Sequence, residues 1–164
     1  MRIDDAPGEF GWMVGRMQFD VTNRECPPPP KENPGGTSSP VPTYSILFEL
    51  VRQPDGTYAG QFFTDGMIDE DDYGRGVCRW ALTNLQVQMR ATGAEGETLF
   101  ISNFVGDEIE GGQTEKSFYY WSRRYPRSRI DNYPASGSPS PEDFGADVRN
   151  QLFKITLAIE GAKS

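Results

Sequence analysis

Apolar and polar residues alternate with a period near two through most ordered-looking stretches of this chain, the signature of strands rather than helices. In "WMVGRMQFDVTN", residues 12–23, Val14, Met17, Phe19 and Val21 follow that alternation with one slip, which predicts a strand with a bulge near Gly15. In "TYSILFELVRQPDGTYAGQFFTD", residues 43–65, Tyr44, Ile46, Phe48 and Leu50 alternate with Ser45, Leu47, Glu49 and Val51. The "QPDGT" that follows supplies Pro and Asp-Gly turn chemistry, so a hairpin is predicted. In "CRWALTNLQVQMRAT", residues 78–92, Trp80, Leu82, Leu85, Val87 and Met89 share one face apart from a slip around Asn84. A bulged strand fits that pattern, and the alternating "LQVQM" end argues against a helix. Further strands are predicted at 98–105, at 115–124 after the Gly-Gly turn, and at 152–160.

The remaining segments connect these strands. Residues 1–11 read as a flexible N-terminal arm, and 12–164 as a single domain. "CPPPPKENPGGTSSPVP", 26–42, holds seven of the thirteen prolines. It cannot be a helix or central strand, and a stiff surface connection is favoured over a ligand for an SH3-like partner. Residues 127–145 form a long Ser/Pro-rich loop. Within "SPEDFGADVRNQL", Ser140 or Pro141 before Glu142 and Asp143 resembles a helix N-terminus, which predicts one short helix. The expected fold is all-β, an antiparallel β-sandwich or partly closed barrel of about seven strands with at most one short helix. No repeat of fixed period occurs.

Composition sharpens the functional range. The chain has 164 residues with 18 glycines and 13 prolines, suited to short strands joined by turns. Its net charge of −8 disfavours nucleic acid, which wants a positive footprint, and favours a partner with a basic surface. There is no histidine, which removes the commonest general base, the commonest metal ligand and every Ser-His or Cys-His pair. Phosphate-loop, dinucleotide and nucleophile-elbow motifs are absent. Acids are plentiful, but nothing singles out a glycosidase pair. The expectation is a non-enzymatic protein with no cofactor.

No apolar run is long enough to span a membrane. The start, "MRIDDAPGEF", lacks the apolar core of a signal peptide. Either the protein is intracellular, or a signal is absent from this sequence and Met1 is an added start. Two cysteines, Cys26 and Cys78, in a turn-rich chain point to one disulfide and so to a periplasmic or extracellular setting, with the cytoplasm as the other option.

Two opposed clusters are candidates for chemistry. Asp69, Glu70, Asp71 and Asp72 lie just before Cys78. Taking Asp69 as the first position of a calcium loop puts Asp71 third and Gly74 sixth, as an EF-hand requires. Tyr73 at the fifth position and Trp80 at the twelfth break that pattern. A solvated turn, an acidic docking loop and an irregular calcium site therefore all remain open. The opposite pole, "FYYWSRRYPRSR", sets Tyr119, Trp121 and Tyr125 among Arg123, Arg124, Arg127 and Arg129. Aromatic residues with Arg make up interface hot spots and stacking platforms, although alternation sends half of the aromatics to a core. Two opposite poles also allow self-association. The reading is a protein-binding module, an inhibitor or immunity-type protein of the bacterial envelope that occludes a toxin or enzyme. The alternative is a carbohydrate- or ligand-binding β-sandwich of a cell-surface or virion assembly, with Tyr119 and Trp121 as the stacking platform.

Overall fold

The structure, a computed structural model, describes residues 1–38 and 40–161. Three strands form one sheet: β1 (Arg2–Asp4), β12 (Leu152–Ala158) and β10 (Glu115–Trp121), in that order. Five form a second: β11 (Pro134–Ser136), β9 (Leu99–Val105), β8 (Trp80–Arg90), β2 (Trp12–Val21) and β5 (Thr43–Phe48). Two ribbons complete the set, β3 (Lys31–Asn33) with β4 (Gly36–Ser38) and β6 (Val51–Arg52) with β7 (Tyr58–Ala59). The helix α1 (Gly106–Glu110) links β9 to β10.

The inner faces of the two large sheets bury one apolar core, so the molecule is an all-β sandwich. Phe118 and Tyr120 from β10 and Phe153 and Ile155 from β12 meet Phe19 from β2, Met89 from β8, and Phe100 and Phe104 from β9. Alternation explains the choice of residues, since every second position of β9 is buried and the positions between are half-exposed. At the centre, Phe100 packs edge-on against Phe10, Tyr120 and Phe153 at centroid distances of 5.6, 5.7 and 5.3 Å. Tyr120 stacks on Phe153 at 5.2 Å. Such pairs add roughly 0.5–1.5 kcal/mol each beyond the area they bury. The Tyr120 hydroxyl donates to the Ile101 carbonyl, and burial pushes its pKa far above the usual phenol range.

The bulge near Asn84 is present. Gln18 lies opposite Asn84 and Phe19 opposite Leu82, so Thr83 is the extra residue. Its hydroxyl donates to Asp20 Oδ2 at 2.6 Å, and Thr43 of β5 donates to Asp20 Oδ1 at 2.6 Å. One carboxylate thereby ties three adjacent strands. The bulge expected at Gly15 is absent: Gly15, Met17, Phe19 and Val21 are buried in unbroken alternation, and Val14 belongs to the opposite face. Gly15 is small for another reason: a Cβ there would run into the Phe48 ring.

Three other expectations change. The N-terminal arm is a paired strand, with Arg2, Ile3 and Asp4 opposite Thr156, Ile155 and Lys154. Phe10 follows it into the core, and Tyr125 donates to the Glu9 carbonyl. A three-residue strand with charges at both ends has too little alternation to be recognised. The hairpin over 43–65 narrows to β6 and β7, because β5 pairs with β2 instead. The expected helix after Ser140 is a single 3-10 turn over Pro141–Asp143, capped by Ser140 Oγ accepting from Glu142 N–H. The one parallel pairing among the described residues sets β11 beside β9. Among those residues, no helix is long and apolar enough to cross a membrane.

Cys26 and Cys78 are joined in a disulfide across 52 positions of sequence. They are fully buried against Val21 and Trp80 in a small cluster separate from the main core. On the chain-entropy model a loop of that length contributes about 4 kcal/mol. Reduction, or Cys26→Ser with Cys78→Ser, is expected to lower the unfolding free energy by about that amount in urea titrations. Near-ultraviolet circular dichroism of the aromatic core is expected to persist below the transition.

Candidate functional site

The disulfide brings the proline-rich segment and the acidic loop to one end of the five-stranded sheet. Beyond it the chain organises the loop with its own polar groups. Glu70 C=O accepts from Cys78 N–H at 2.8 Å and from Asp72 N–H at 3.1 Å, closing the base. Asp69 Oδ1 accepts from Trp80 N–H at 2.9 Å, and Asp72 Oδ2 from the Trp80 indole N–H at 3.4 Å. Asp71 Oδ1 accepts from Arg75 N–H at 3.0 Å. Gly74, at φ +71°, supplies the left-handed turn between them. On the other side Asn23 works as a clamp: its Nδ2 donates to Val77 C=O and its Oδ1 accepts from Arg79 N–H, each at 2.8 Å. Sequence reasoning missed Asn23, whose partners lie 54 and 56 positions away.

Three of the four acids are thus acceptors for the loop's own backbone or for Trp80. Among the described residues, no group of three or more His, Cys, Asp or Glu side chains is gathered to hold a metal ion. The loop leaves apolar side chains in water: Ile68 is 77% exposed, Val77 48% and Tyr73 42%. Tyr73 also closes a groove of about 380 Å³ walled by the prolines at 27–29, 40 and 42 with Val41, and lined by Lys31 and Asn33 as well. The result is a surface in which acidic and apolar groups interleave on a cross-linked frame.

The aromatic-arginine block lies on the other sheet and does not form one patch. Phe118 and Tyr120 point into the core, while Tyr119 and Trp121 point outward. Arg124 lies over the Trp121 ring at 5.8 Å and over Tyr133 at 4.0 Å, so the Trp121 platform carries a cation of its own chain. Arg123 Nε donates to Gln151 Oε1 at 2.9 Å. Tyr125 packs edge-on against Phe10 at 5.4 Å. Burial, with the charges of Glu97 and Glu9, raises its pKa. Arg127 donates to Glu95 C=O at 2.7 Å and lies 4.0 Å from Asp131. These side chains tether turns to the sandwich.

Tyr119 alone of the block lines a cleft, of about 510 Å³, on the outer face of the three-stranded sheet. It forms a row with Lys154 and Asp4 across three strands, and Arg2, Asp5, Arg149 and Pro141 also line the cleft. Asp4 is engaged by Arg2 at 3.0 Å. Beside the Arg127 turn, Glu97 accepts from the Thr92 hydroxyl and from Thr92 N–H at 2.8 Å. The hydroxyl first, then the backbone N–H groups, hold its carboxyl below the usual range.

Compared with protein-family models, with curated proteins and with solved structures, the chain matches none of them.

Two outcomes follow from this bonding. Asp69→Ala is expected to leave Trp80 N–H without its acceptor, to cost about 1 kcal/mol, and to speed proteolytic cutting within 66–76. Glu70→Ala, whose side chain makes no hydrogen bond among the described residues, is expected to leave the cutting rate unchanged. Glu97 is held lower folded than unfolded, so its contribution is present at neutral pH and is lost as pH falls through the folded value. Glu97→Gln is expected to flatten the acid limb of the stability–pH profile, read by urea midpoints between neutral and acid pH.

Proposed function

We propose that this protein is a non-enzymatic binding module whose partner is another protein with a basic, partly apolar surface. The contact is the disulfide-linked end of the sandwich, made by Asp69 to Asp72, Ile68, Tyr73, Val77 and the proline groove. The observation that carries this reading is the internal bonding of the acidic loop. Asp69, Asp71 and Asp72 spend hydrogen bonds on holding the loop in one shape while Ile68 and Tyr73 stay in water. Exposed apolar side chains rimmed by acids on a fixed loop are the composition of an interaction site. Preorganisation by a cross-link lowers the entropy cost of association, and interleaved acids favour a basic partner and speed its encounter. In this reading the protein acts by occluding its partner, as an inhibitor or immunity-type protein does. The disulfide supports an oxidising compartment such as the periplasm or cell exterior.

A second reading has one observation in its favour. The Tyr119 cleft, with Lys154 and Arg149 at its rim, suits a ring-bearing anionic ligand. Glycan binding that disappears with Tyr119→Ala, while the loop variants below keep it, would favour that reading.

The first reading is tested with the chain as bait on an envelope fraction of its host, followed by calorimetry with the captured protein. Ile68→Asp with Tyr73→Ala is expected to weaken binding at least tenfold. Raising salt from about 0.05 to about 0.5 M is expected to slow association several-fold, since exposed charges are then screened. Equal affinity of the double variant would overturn the assignment of the contact.

A further inference from the structure

The five-stranded sheet ends on β5, and the hydrogen-bond register tells which backbone groups of β5 face away from the sheet. Val21 N–H donates to Pro42 C=O at 3.0 Å, one step beyond the Asp20–Thr43 pair. In an antiparallel ladder, bonded and non-bonded pairs alternate. Tyr44, Ile46 and Phe48 therefore bond to Phe19, Met17 and Gly15, and the N–H and C=O groups of Thr43, Ser45 and Leu47 point outward. Among the described residues no strand, bridge or turn pairs with those outward groups. Leu47 is 58% exposed and Tyr44 56%.

The other edges of the two sheets are guarded. β1 carries Arg2 and Asp4. β10 is covered where Tyr119 and Ser138 exchange backbone hydrogen bonds of 2.8 and 2.9 Å. β11 is three residues long and starts with Pro134. β5, "TYSILF", has no charge, no proline and no bulge, and four of its six residues, Thr43, Tyr44, Ile46 and Phe48, are strand-favouring. Proteins blunt an idle edge of this kind, because it pairs with any extended chain.

We infer that β5 is a docking edge that takes an extended, basic segment of a partner protein as an added strand. The inference rests on the protein-binding reading above and supplies its geometry. Charge selects the occupant. Asp20 is bonded to Thr43 at one end of β5, Glu49 follows Phe48 at the other, and Asp69 is bonded to Trp80, which pairs with Val21. The cations nearest in the register are Arg16, opposite Leu47, and Arg52 in β6. A second copy is disfavoured, because antiparallel pairing of β5 with itself would set the Asp20 end of one chain beside Glu49 of the other, between molecules of charge −8. The main-chain bonds give affinity, and the acids at each end select lysine or arginine in the incoming strand.

The test uses the isotope-labelled full chain and two synthetic probes, acetyl-(Lys-Val)₃-amide and acetyl-(Glu-Val)₃-amide. The basic peptide is expected to slow amide exchange of Thr43, Ser45 and Leu47 at least tenfold, and to leave that of Tyr44 and Ile46 unchanged. The acidic peptide is expected to slow none. Ser45→Pro removes an outward donor and spares the β2 ladder, so it is expected to weaken the basic peptide at least tenfold. Far-ultraviolet circular dichroism checks that this variant folds, and Leu47→Asp serves as the alternative if it does not. Perturbation confined to Ile68, Tyr73 and Val77 would overturn strand addition and leave the loop contact standing. Protection of Ser45 that rises with protein concentration alone, with a doubled mass, would assign the edge to a second copy and overturn the inference. No protection at β5 with the basic peptide would also overturn it, whereas failure of the loop contact is read separately, from the captured partner.

Discussion

The Cys26–Cys78 bond governs the end of the molecule that carries the acidic loop and the proline-rich run. The two segments it joins, the proline-rich run after β2 and the loop before β8, send few apolar side chains to the core. Their own buried cluster is only Val21 and the two cysteines, with Trp80 packed against it. Hydrophobic burial at about 25 cal/mol per Å² cannot order so much chain from so little area. A covalent link restricts the unfolded ensemble instead, and local hydrogen bonds from Asn23, Asp69, Asp71 and Asp72 finish the shape. The main sandwich buries its own cluster, distinct from that of the two cysteines, so its packing is expected to outlast the link. Stability and presentation are thus divided between two structures that meet at Val21 and Trp80, where β2 pairs with β8.

That division accounts for what the sequence revealed. Alternation marked the long strands, and their buried faces were largely right: Met17, Phe19 and Val21 in β2, and Leu82, Leu85, Val87 and Met89 in β8. Even the slip near Asn84 could be read, because a bulge changes the parity of every residue after it. The disulfide was legible from the cysteine count in a turn-rich chain. The short strands were not, because β1, β3, β4 and β11 have three residues each and owe their existence to neighbours. Strand order is likewise tertiary: nothing local tells β5 to leave the 51–59 hairpin and join β2.

The candidate site was half-legible for a related reason. A cluster of acids can be seen in one dimension, but what each carboxylate does depends on groups that fold beside it. Asp69 and Asp72 find Trp80, eleven and eight positions on, and Asp71 finds Arg75. Similarly, Trp121 looks like a stacking platform until Arg124 is seen lying over it, and Tyr125 looks like a surface aromatic until Phe10 packs against it. Periodicity divides one face of a strand from the other. It does not tell whether the outward face meets water or the chain's own arginines.

The acidic end and the bare edge strand have one physical origin. A carboxylate that accepts backbone N–H bonds is satisfied without a counter-ion, so the loop keeps its negative field while gaining rigidity. Inside the sheet Asp20 is satisfied by hydroxyls instead: Thr43 and Thr83 each donate to it and fix β5 against β2 and β8. The acids therefore build the frame and project charge at once. The neutral edge strand β5 has no proline or lysine of its own, so in the docking-edge proposal repulsion between acidic copies takes their place. On that proposal, the same field would disfavour a second copy and draw a basic chain, and selectivity at β5 would need no charge in β5 itself.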